Sequence, residues 1–466
     1  MLINSYIFLF VFLPFSIFFL LLSSWIKNTS SIRVYLLTII SILFYGLFSF
    51  KFLILLSVAI TANFFIAKFI DKYKQNSIYI LSFGVLLNLC LLVYFKYANY
   101  FIDQLGFIAN LSFNLQKIAI PIGLSFIVFH QISYLVDYYR GSIKKHTFIE
   151  YFLFISFFPK IIAGPIIRGN EFFYQLRRKR FLKFNSFNLL VGFSFLSIGL
   201  FKKIVLGDRF GFYADRVFNS DLSLLSQGDL WLGMFAYSMQ IYFDFSGYSD
   251  MAIGVSRMFG IKVPFNFNSP YRAVSIVDFW RRWHITLSLF FRDYLYIPLG
   301  GNRSGVKRKF FGILVTLLLA GLWHGAGNTF LMWGLMHALM IITFNIWNSF
   351  SRPLPNFLAM SLTFVSVSIS WVFFRADSID RAFNYIHGMF DFTSNINMQV
   401  FHIDVLYHWG ILFLVGFIII FLIPNLQKIP LKAYRYWFPI APVLAASLVI
   451  ALLFMSEVKP FIYNAF

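Results

Sequence analysis

Charged side chains are scarce in this sequence. Asp, Glu, Lys and Arg make up only 12% of its 466 residues, whereas hydrophobic residues make up 59%. A typical soluble domain is about 25% charged, so this chain lacks the polar surface that a soluble globular protein needs. A disordered chain is excluded as well, because such chains contain few hydrophobic residues. The composition therefore predicts an integral membrane protein with many spans.

Acidic residues are rarer than basic ones, 18 against 39, which gives a net charge of +21. A basic excess often indicates nucleic-acid binding, but no soluble module is present here to carry such a surface. We therefore assign the excess to cytoplasmic loops, which are rich in Lys and Arg in membrane proteins, and expect no nucleic-acid partner. The frequent use of Phe, Ile, Asn and Lys fits an AT-rich genome and favours a bacterial source. We therefore expect the protein in a bacterial inner membrane.

Cysteine and the common catalytic motifs are also missing. The single cysteine, Cys90, cannot form an intramolecular disulfide. The sequence contains no HExxH, CxxC, Walker A or GxSxG pattern, so it gives no support to the chemistries that those motifs carry. His284 and His324 have no third or fourth metal ligand at local spacing, so no metal site is predicted.

Long apolar runs are the dominant feature that the sequence does contain. A membrane core about 30 Å thick needs roughly 20 apolar residues per helix, and the runs of that kind predict an all-α bundle of about 11–13 helices. No polar stretch is long enough for a soluble core, so we expect residues 1–466 to form one membrane domain. The runs begin near Ser5, Val34, Phe52, Ile78, Ile118, Phe148, Phe187, Trp231, Phe310, Phe330, Phe357, Val405 and Phe438.

Basic residues in the connections between runs predict the orientation. The first, third and fifth connections carry most of the early positive charge, whereas the connections between them carry little. Because cytoplasmic loops are rich in Lys and Arg, this alternation places the N-terminus in the periplasm as a retained span. The residues concerned are Lys27, Arg33, Lys72, Lys74, Arg140, Lys144 and Lys145.

One basic segment does not fit the alternation. Arg168, Arg177, Arg178, Lys179, Arg180 and Lys183 follow the sixth run, on the side that simple counting makes periplasmic. The run Phe148–Ile167 is interrupted by Pro159, Lys160, Gly164 and Pro165. Broken helix at membrane depth is tolerated only where protein or a water-filled cavity surrounds it. We therefore expect Phe148–Ile167 to be re-entrant and to line a cavity.

Ionisable residues inside apolar runs are costly and are functional candidates by default. The first candidate is Asp244, in the stretch QIYFDFSGYSD, where Gln240, Asp244 and Tyr248 share one helix face. Asp244 either orients a histidine or a substrate hydroxyl, or is a structural carboxylate satisfied by a neighbouring Arg or Tyr.

The second candidate is His284, in DFWRRWHITLSLFFRD. Helical spacing places Arg281, His284, Ser288 and Arg292 on one polar stripe, with aromatic and aliphatic residues on a separate arc. The pattern predicts one amphipathic helix, at an interface or dipping into a cavity. In the alternative, it is a plain interfacial helix whose His284 faces water.

The third candidate is His324, in GLWHGAGNTF, at the end of an apolar run without other charges. A neutral histidine in a low-dielectric cavity is suited to act as a general base. The alternative is a core histidine whose ring nitrogens bind neighbouring helices. Structural roles are expected for His130, His146, His337, His387, His402 and His408.

Several longer strings resemble the membrane-bound O-acyltransferases, and within them the bacterial alginate O-acetylase group. The resemblance covers roughly residues 90–350 in order. It rests on FKYANYF (95–101), IPIGLSFIVFHQISYLVDYYRG (120–141), FFPKIIAGPIIR (157–168), GLFKKIVLGD (199–208), YFDFSGYSDMAIG (242–254), FNFNSPYRAVSIVDFWRRWHITLSLFFRDYLYIPLGG (265–301) and GLWHGA (321–326). Lys160 and His130 stand where the group often has Gln.

The resemblance implies a bundle around a central tunnel, with the catalytic histidine at His324 and the second characteristic polar position at His284. It implies a donor thioester such as acetyl-CoA entering from the cytoplasm, no permanently bound cofactor, and an acceptor approaching from outside. It also implies a periplasmic partner of the SGNH-hydrolase type that places the acetyl group on a polysaccharide such as alginate.

Roles for other residues near the histidines remain open at the sequence level. Asn328 and Trp323 are candidate stabilisers of the developing negative charge, and Asp244, Tyr248, Arg281 and Ser288 are candidate supporting residues. The donor head group is expected at Arg177–Lys183 or Arg303–Lys309, unless these only fix the orientation. Two alternatives to an enzyme are a transporter or flippase of polysaccharide precursors and a structural membrane subunit.

Overall fold

The computed structural model describes residues 2–23, 29–109, 118–178, 181, 185–303, 305–350, 353–392, 403–423, 425, 441–455 and 461. In these ranges the chain is helical and contains no strand. The prediction of an all-α polytopic fold is therefore confirmed. Lys27, Lys179, Arg180, Lys183 and His402 lie outside the described residues, as does the side chain of His408.

Helices occur where the apolar runs predict them. In chain order they are α1 (Leu13–Ser23), α2 (Thr29–Gly46), α3 (Phe50–Lys72), α4 (Ser77–Ala109), α5 (Leu124–Tyr139), α6 (Phe148–Ser156), α7 (Gly169–Leu176), α8 (Ser186–Leu200), α9 (Asp208–Phe218), α10 (Gln227–Met258), α11 (Ile276–Trp280), α12 (Ile285–Phe291), α13 (Val306–His324), α14 (Asn328–Phe350), α15 (Asn356–Arg375), α16 (Ile379–Met389), α17 (Ile403–Phe417) and α18 (Ala441–Leu453). Short π-helical segments join or extend several of them, as at Phe201–Gly207 between α8 and α9.

Membrane-spanning length is reached by five apolar helical stretches of the described chain. They are Phe50–Lys72, Lys74–Ile102, Ser186–Phe218, Asn328–Phe350 and Asn356–Arg375. Shorter apolar helices cover Phe8–Ser23, Ser31–Gly46, Gly410–Leu422 and Ala441–Leu453. Large hydrophobic side chains such as Phe50, Phe357 and Leu453 are exposed, as expected for surfaces that face lipid.

Two compact units divide the chain. The first contains residues 1–196 and 249–264, and the second contains residues 197–248 and 265–466. That residues 1–466 act as one domain stays a prediction. The candidate residues Asp244, His284 and His324 all belong to the second unit.

The first unit contains the broken segment that the sequence predicts. Helix α6 begins at a capping box between Thr147 and Glu150 and ends at Ser156. Residues 157–168 are not helical, and Phe152–Ile167 are buried throughout. The interruption at Pro159 and Lys160 is thus observed, and burial within protein meets the condition for irregular backbone at membrane depth. That the segment is re-entrant stays a prediction.

In the second unit, α13 and α14 form a tightly packed helical hairpin. A Cβ at Gly321 would lie 2.3 Å from the carbonyl oxygen of Phe330, and one at Gly334 would lie 2.4 Å from that of Leu317. Only glycine allows backbones to approach so closely. The hairpin therefore fixes the end of α13, where His324 lies.

Candidate active site

His324 is the last residue of α13 and is only 4% exposed. The extended backbone of Gly325 ends the helix directly after it. A Cβ at Gly325 would lie 2.1 Å from the ring of Phe330, so any other residue here would displace that ring. His324 is thereby held at a helix C-terminus, where the negative end of the helix dipole stabilises a positively charged imidazolium.

Aromatic rings surround the His324 imidazole. The ring centroids of Trp323, Trp333 and Phe374 lie 4.7, 5.1 and 5.0 Å from it, all in edge-on arrangements. Trp333 in turn stacks on Trp371 at 5.6 Å. These rings give His324 the low-dielectric surroundings that favour general-base chemistry.

His284 lies in a break between two helices, so the prediction of one continuous amphipathic helix is wrong. Helix α11 ends at Trp280, α12 begins at Ile285, and His284 adopts a left-handed backbone with φ 41°. Its side chain is fully buried, whereas Arg281 and Arg292 are exposed. The predicted polar stripe therefore does not exist, and the alternative in which His284 faces water is wrong too.

The break is held by a segment distant in sequence. Backbone N–H groups of Ile285 and Asn268 donate to the carbonyl oxygens of Asn266 and Arg282, at 2.9 Å each. The Asn266 side-chain oxygen accepts hydrogen bonds from the Thr286 hydroxyl at 2.9 Å and from His284 Nδ1 at 3.1 Å. These contacts compensate for a backbone conformation that costs a non-glycine residue about 1–3 kcal/mol.

The hydrogen bond to Asn266 also sets the tautomer of His284. Because an amide oxygen only accepts, His284 Nδ1 carries the proton and Nε2 of the neutral ring carries a lone pair. Burial lowers the pKa of His284, which keeps the ring neutral. A neutral ring in this tautomer accepts a hydrogen bond at Nε2.

Trp323 brings the two histidines into one site. Its ring centroid lies 6.3 Å from that of His284 and 4.7 Å from that of His324. The edge of Phe245, on α10, contacts the His284 ring at 4.6 Å. Residues from α10, the α11–α12 break and the end of α13 thus meet around Trp323.

Asp244 forms an ion pair with Lys203. Lys203 Nζ also lies 2.6 Å from a carboxylate oxygen of Asp208, and its side chain is 2% exposed. This pairing agrees with the structural alternative for Asp244, although the partner is a lysine rather than the expected Arg or Tyr. Lys203 was missed as a site residue; its signal is a pair of lysines inside an apolar run, in GLFKKIVLGD.

The remaining sequence candidates occupy different surroundings. Tyr248 is buried and stacks on Phe461, with 4.9 Å between centroids. The Ser288 hydroxyl donates to the carbonyl oxygen of Trp283 at 3.3 Å. Arg281 and Asn328 are exposed, the latter at the first residue of α14. Within the described ranges, no three His, Cys, Asp or Glu residues come together as a metal site.

His337 illustrates a buried histidine with a packing role. Its Nε2 lies 2.9 Å from the Ser370 hydroxyl, and its ring packs edge-on against Trp280 and Trp333 at 5.2 and 4.7 Å. Trp333 and Trp371 were not selected from the sequence. Each is one aromatic among many in apolar helices, and only the folded structure distinguishes those around His324.

Comparisons with known proteins give this geometry a chemical context. A protein named "Peptidoglycan O-acetyltransferase" from Helicobacter pylori is 37% identical over 421 residues, which cover 84% of this chain and 80% of the relative. A protein named "Probable alginate O-acetylase AlgI" from Pseudomonas aeruginosa is 39% identical over 404 residues, 84% of this chain and 75% of the relative. The "Teichoic acid D-alanyltransferase" of Bacillus subtilis is 33% identical over 276 residues, 54% of this chain and 68% of that protein.

The family model for membrane-bound O-acyltransferases matches residues 37–376. This range includes Asp244, His284 and His324, and it is embedded in a multi-helix membrane fold. The resemblance found in the sequence is therefore confirmed. The chain belongs to the membrane-bound O-acyltransferase family and is a multi-pass membrane enzyme that transfers acyl groups to oxygen.

Proposed function

We propose that this enzyme moves an acetyl group from a cytoplasmic thioester, acetyl-CoA, across the inner membrane for O-acetylation of a cell-surface polysaccharide, with His324 as the general base. The observation that carries the proposal is the placement of His324, buried among aromatic rings at a helix C-terminus and joined to His284 through Trp323. Acetyl transfer is supported by relatives whose names specify O-acetylation of peptidoglycan or alginate.

The reaction follows from the base. His324 removes the proton of an acceptor hydroxyl while the oxygen attacks the thioester carbonyl carbon. The carbon–sulfur bond then breaks, and the leaving thiolate takes up the proton, so the imidazole returns to its neutral form. General-base assistance of this kind contributes roughly 10²–10⁴-fold, and positioning of the two substrates supplies much of the rest.

His284 orients the acceptor in this scheme. Its Nδ1–H is held by Asn266, so Nε2 of the neutral ring accepts a hydrogen bond from a hydroxyl. It does not donate to a developing oxyanion in that tautomer. We assign stabilisation of the developing negative charge instead to Trp323 or Asn328. Trp323 directly precedes His324 in the sequence, and Asn328 follows it by four residues.

Helix α13 supports transfer across the membrane rather than at one surface. Arg303–Lys309 precede or begin this helix, and His324 ends it after 19 residues. The apolar part of this helix, residues 310–324, is about 22 Å long and so reaches most of the way across a hydrocarbon core about 30 Å thick. With the basic end in the cytoplasm, His324 lies toward the outer side, where an acceptor arrives.

The same arrangement requires a donor with a long flexible arm. Basic residues near Arg303–Lys309 hold the phosphates of the donor head group, and the pantetheine arm carries the thioester inward. Arg177 is a weaker candidate for this contact, because its guanidinium donates to the backbone oxygen of Lys145. We propose no permanently bound cofactor.

The acetyl group is proposed to reach the polymer through a second protein. Both compact units are built from helices, and the described chain offers no separate domain to hold a polysaccharide outside. A periplasmic acetyltransferase of the SGNH type takes the acetyl group in this scheme and places it on peptidoglycan, alginate or another exopolymer. The N-terminus is proposed to lie in the periplasm.

The proposal is tested by the acetate content of purified cell-surface polysaccharides. Cells carry wild type, His324→Ala or His387→Ala at matched membrane abundance; His387 is an exposed histidine of the same unit. We expect His324→Ala to abolish the enzyme-dependent acetate and His387→Ala to leave it unchanged. Normal acetylation with His324→Ala would overturn the assignment of the base.

A further inference from the structure

Two positions at which the sequence departs from the motifs of the alginate O-acetylase group, Lys160 and His130, are neighbours in the first unit. Lys160 is fully buried and His130 is 2% exposed. Lys160 Nζ lies 4.9 Å from the ring centroid of Phe154, and the His130 ring packs edge-on against the same ring at 5.6 Å. Lys160 and His130 each replace a Gln that is common in the group, and each thus adds a basic nitrogen to the same buried place.

The backbone around Lys160 holds its side chain inside. Its N–H donates to the carbonyl oxygen of Phe157 at 3.1 Å, and its carbonyl oxygen accepts from Gly164 at 2.9 Å. A Cβ at Gly164 would lie 2.4 Å from Lys160 Cα, and one at Gly123 would lie 2.2 Å from the carbonyl oxygen of Ile161. Such close packing holds the backbone of residues 160–164 in place.

Nothing in the described chain compensates the charge of Lys160. Among the residues that the structure describes, its Nζ has no hydrogen-bond acceptor and forms no ion pair with a carboxylate. The cation–π contact with Phe154 is weak compared with the penalty for removing an ammonium from water. A protonated Lys160 therefore needs a counter-ion from outside the chain.

His130 supplies one acceptor but no negative charge. Its Nδ1 lies 2.7 Å from the carbonyl oxygen of Phe126, so Nδ1 carries the proton and Nε2 carries a lone pair. Nε2 has no partner among the described residues. It can accept a hydrogen bond from the ammonium through a water, which leaves two of the three ammonium N–H groups for another acceptor.

We propose that Lys160 and His130 form a buried site for a small monovalent anion, either a halide such as chloride or a short carboxylate such as acetate. A single ammonium balances one negative charge, whereas a phosphate would bring a second charge to a buried place beside the Phe154 ring. The site belongs to the first unit, whereas the histidines of the proposed chemistry belong to the second. It stands whether or not the proposed function does.

The test is the thermal unfolding of the full-length protein in detergent at constant ionic strength. Bulky sodium gluconate is replaced stepwise by sodium chloride, sodium acetate or sodium phosphate. Because binding to the folded state raises its stability, we expect the melting temperature of wild type to rise by about 2 °C or more and to saturate. The salt that acts at the lowest concentration identifies the halide or the carboxylate.

Variants assign the effect to this site. Lys160→Gln restores the residue common in the group, and Lys160→Met keeps the length of the chain without charge. Both should melt at the same temperature in all salts, whereas Lys74→Met, at an exposed lysine of the same unit, should behave like wild type. A wild-type melting temperature that does not depend on the anion, that rises only with phosphate, or an undiminished shift in both Lys160 variants would overturn the proposal.

Discussion

His284 depends on Asn266 for both its position and its tautomer. Asn266 binds the Thr286 hydroxyl and His284 Nδ1 with the same side-chain oxygen, and it is fully buried. Loss of that oxygen removes the partner of a buried donor, which costs about 1–3 kcal/mol. The left-handed backbone of His284 then also loses part of its support.

We predict that Asn266→Ala lowers kcat about 10-fold or more and lowers the melting temperature, whereas Asn266→Asp retains an acceptor and loses less of both. Transfer kinetics on the purified enzyme, with the acceptor concentration varied, separate the effects on kcat and KM. Equal kinetics for wild type and Asn266→Ala would show that His284 needs no positioning.

Lys203 lies between the carboxylates of Asp208 and Asp244, and its removal takes away a cation that both contact. The side chains of Lys203 and Asp244 are 2% and 3% exposed. Breaking a buried pair on one side typically costs about 3–5 kcal/mol. We predict that Lys203→Met destabilises the protein by that order.

A double variant tests whether loss of the Lys203–Asp244 ion pair causes the loss of stability. Lys203→Met combined with Asp244→Leu should recover part of the lost stability, because the negative charge of the pair is then removed as well. Thermal unfolding in detergent provides the comparison. A double variant that is no more stable than Lys203→Met would show that Asp244 is held by other contacts.

At the scale of elements, the hairpin of α13 and α14 depends on glycine. Gly321→Ala would drive a methyl group into the backbone of Phe330, at 2.3 Å. We predict that this variant separates the two helices, lowers the melting temperature by several degrees and reduces transfer. Gly410→Ala is the matched control, because its Cβ would meet no atom within 4 Å and alanine favours helix.

Elements were predictable from sequence wherever one local pattern decided them. The run at Phe330 gives α14, which begins at Asn328, and Pro159 in the run from Phe148 marks a segment where helix stops at Ser156. The break at His284 was not predictable, because Asn266, 18 residues earlier, overrides a local helical pattern.

The candidate site was predictable only in part, for the same reason. His324 and His284 stand out as polar groups in apolar runs, and the family resemblance assigns their places. The pairing of Lys203 with Asp244 and the arrangement of Trp333 and Phe374 around His324 join separate helices. No spacing along the chain encodes such contacts.

At the scale of the whole molecule, charge predicts the orientation in the membrane. By the positive-inside rule we expect Arg178 and Arg303 in the cytoplasm and the poorly charged turn at Leu47 in the periplasm. Leu47 is 65% exposed, and both arginines are exposed. Single cysteines at these positions, with Cys90 replaced by Ser, can report which side each one faces.

We predict that an impermeant maleimide labels Leu47→Cys in intact cells, and labels Arg178→Cys and Arg303→Cys only after permeabilisation. Gel shifts of the purified protein measure the labelling. Labelling of Arg178→Cys from outside would contradict the re-entrant interpretation of Phe148–Ile167, and labelling of Arg303→Cys would contradict the direction of α13.

If His324 acts as the base of acetyl transfer, thiol release from acetyl-CoA by the purified enzyme depends on it. With a hydroxyl acceptor present, we predict that His324→Ala releases thiol about 10²–10⁴-fold more slowly than wild type at matched folded protein. His337→Ala is compared at matched folded protein, as a buried histidine without a proposed chemical role. A rate for His324→Ala within about three-fold of wild type, instead of a loss of at least about 10²-fold, would show that another group acts as the base.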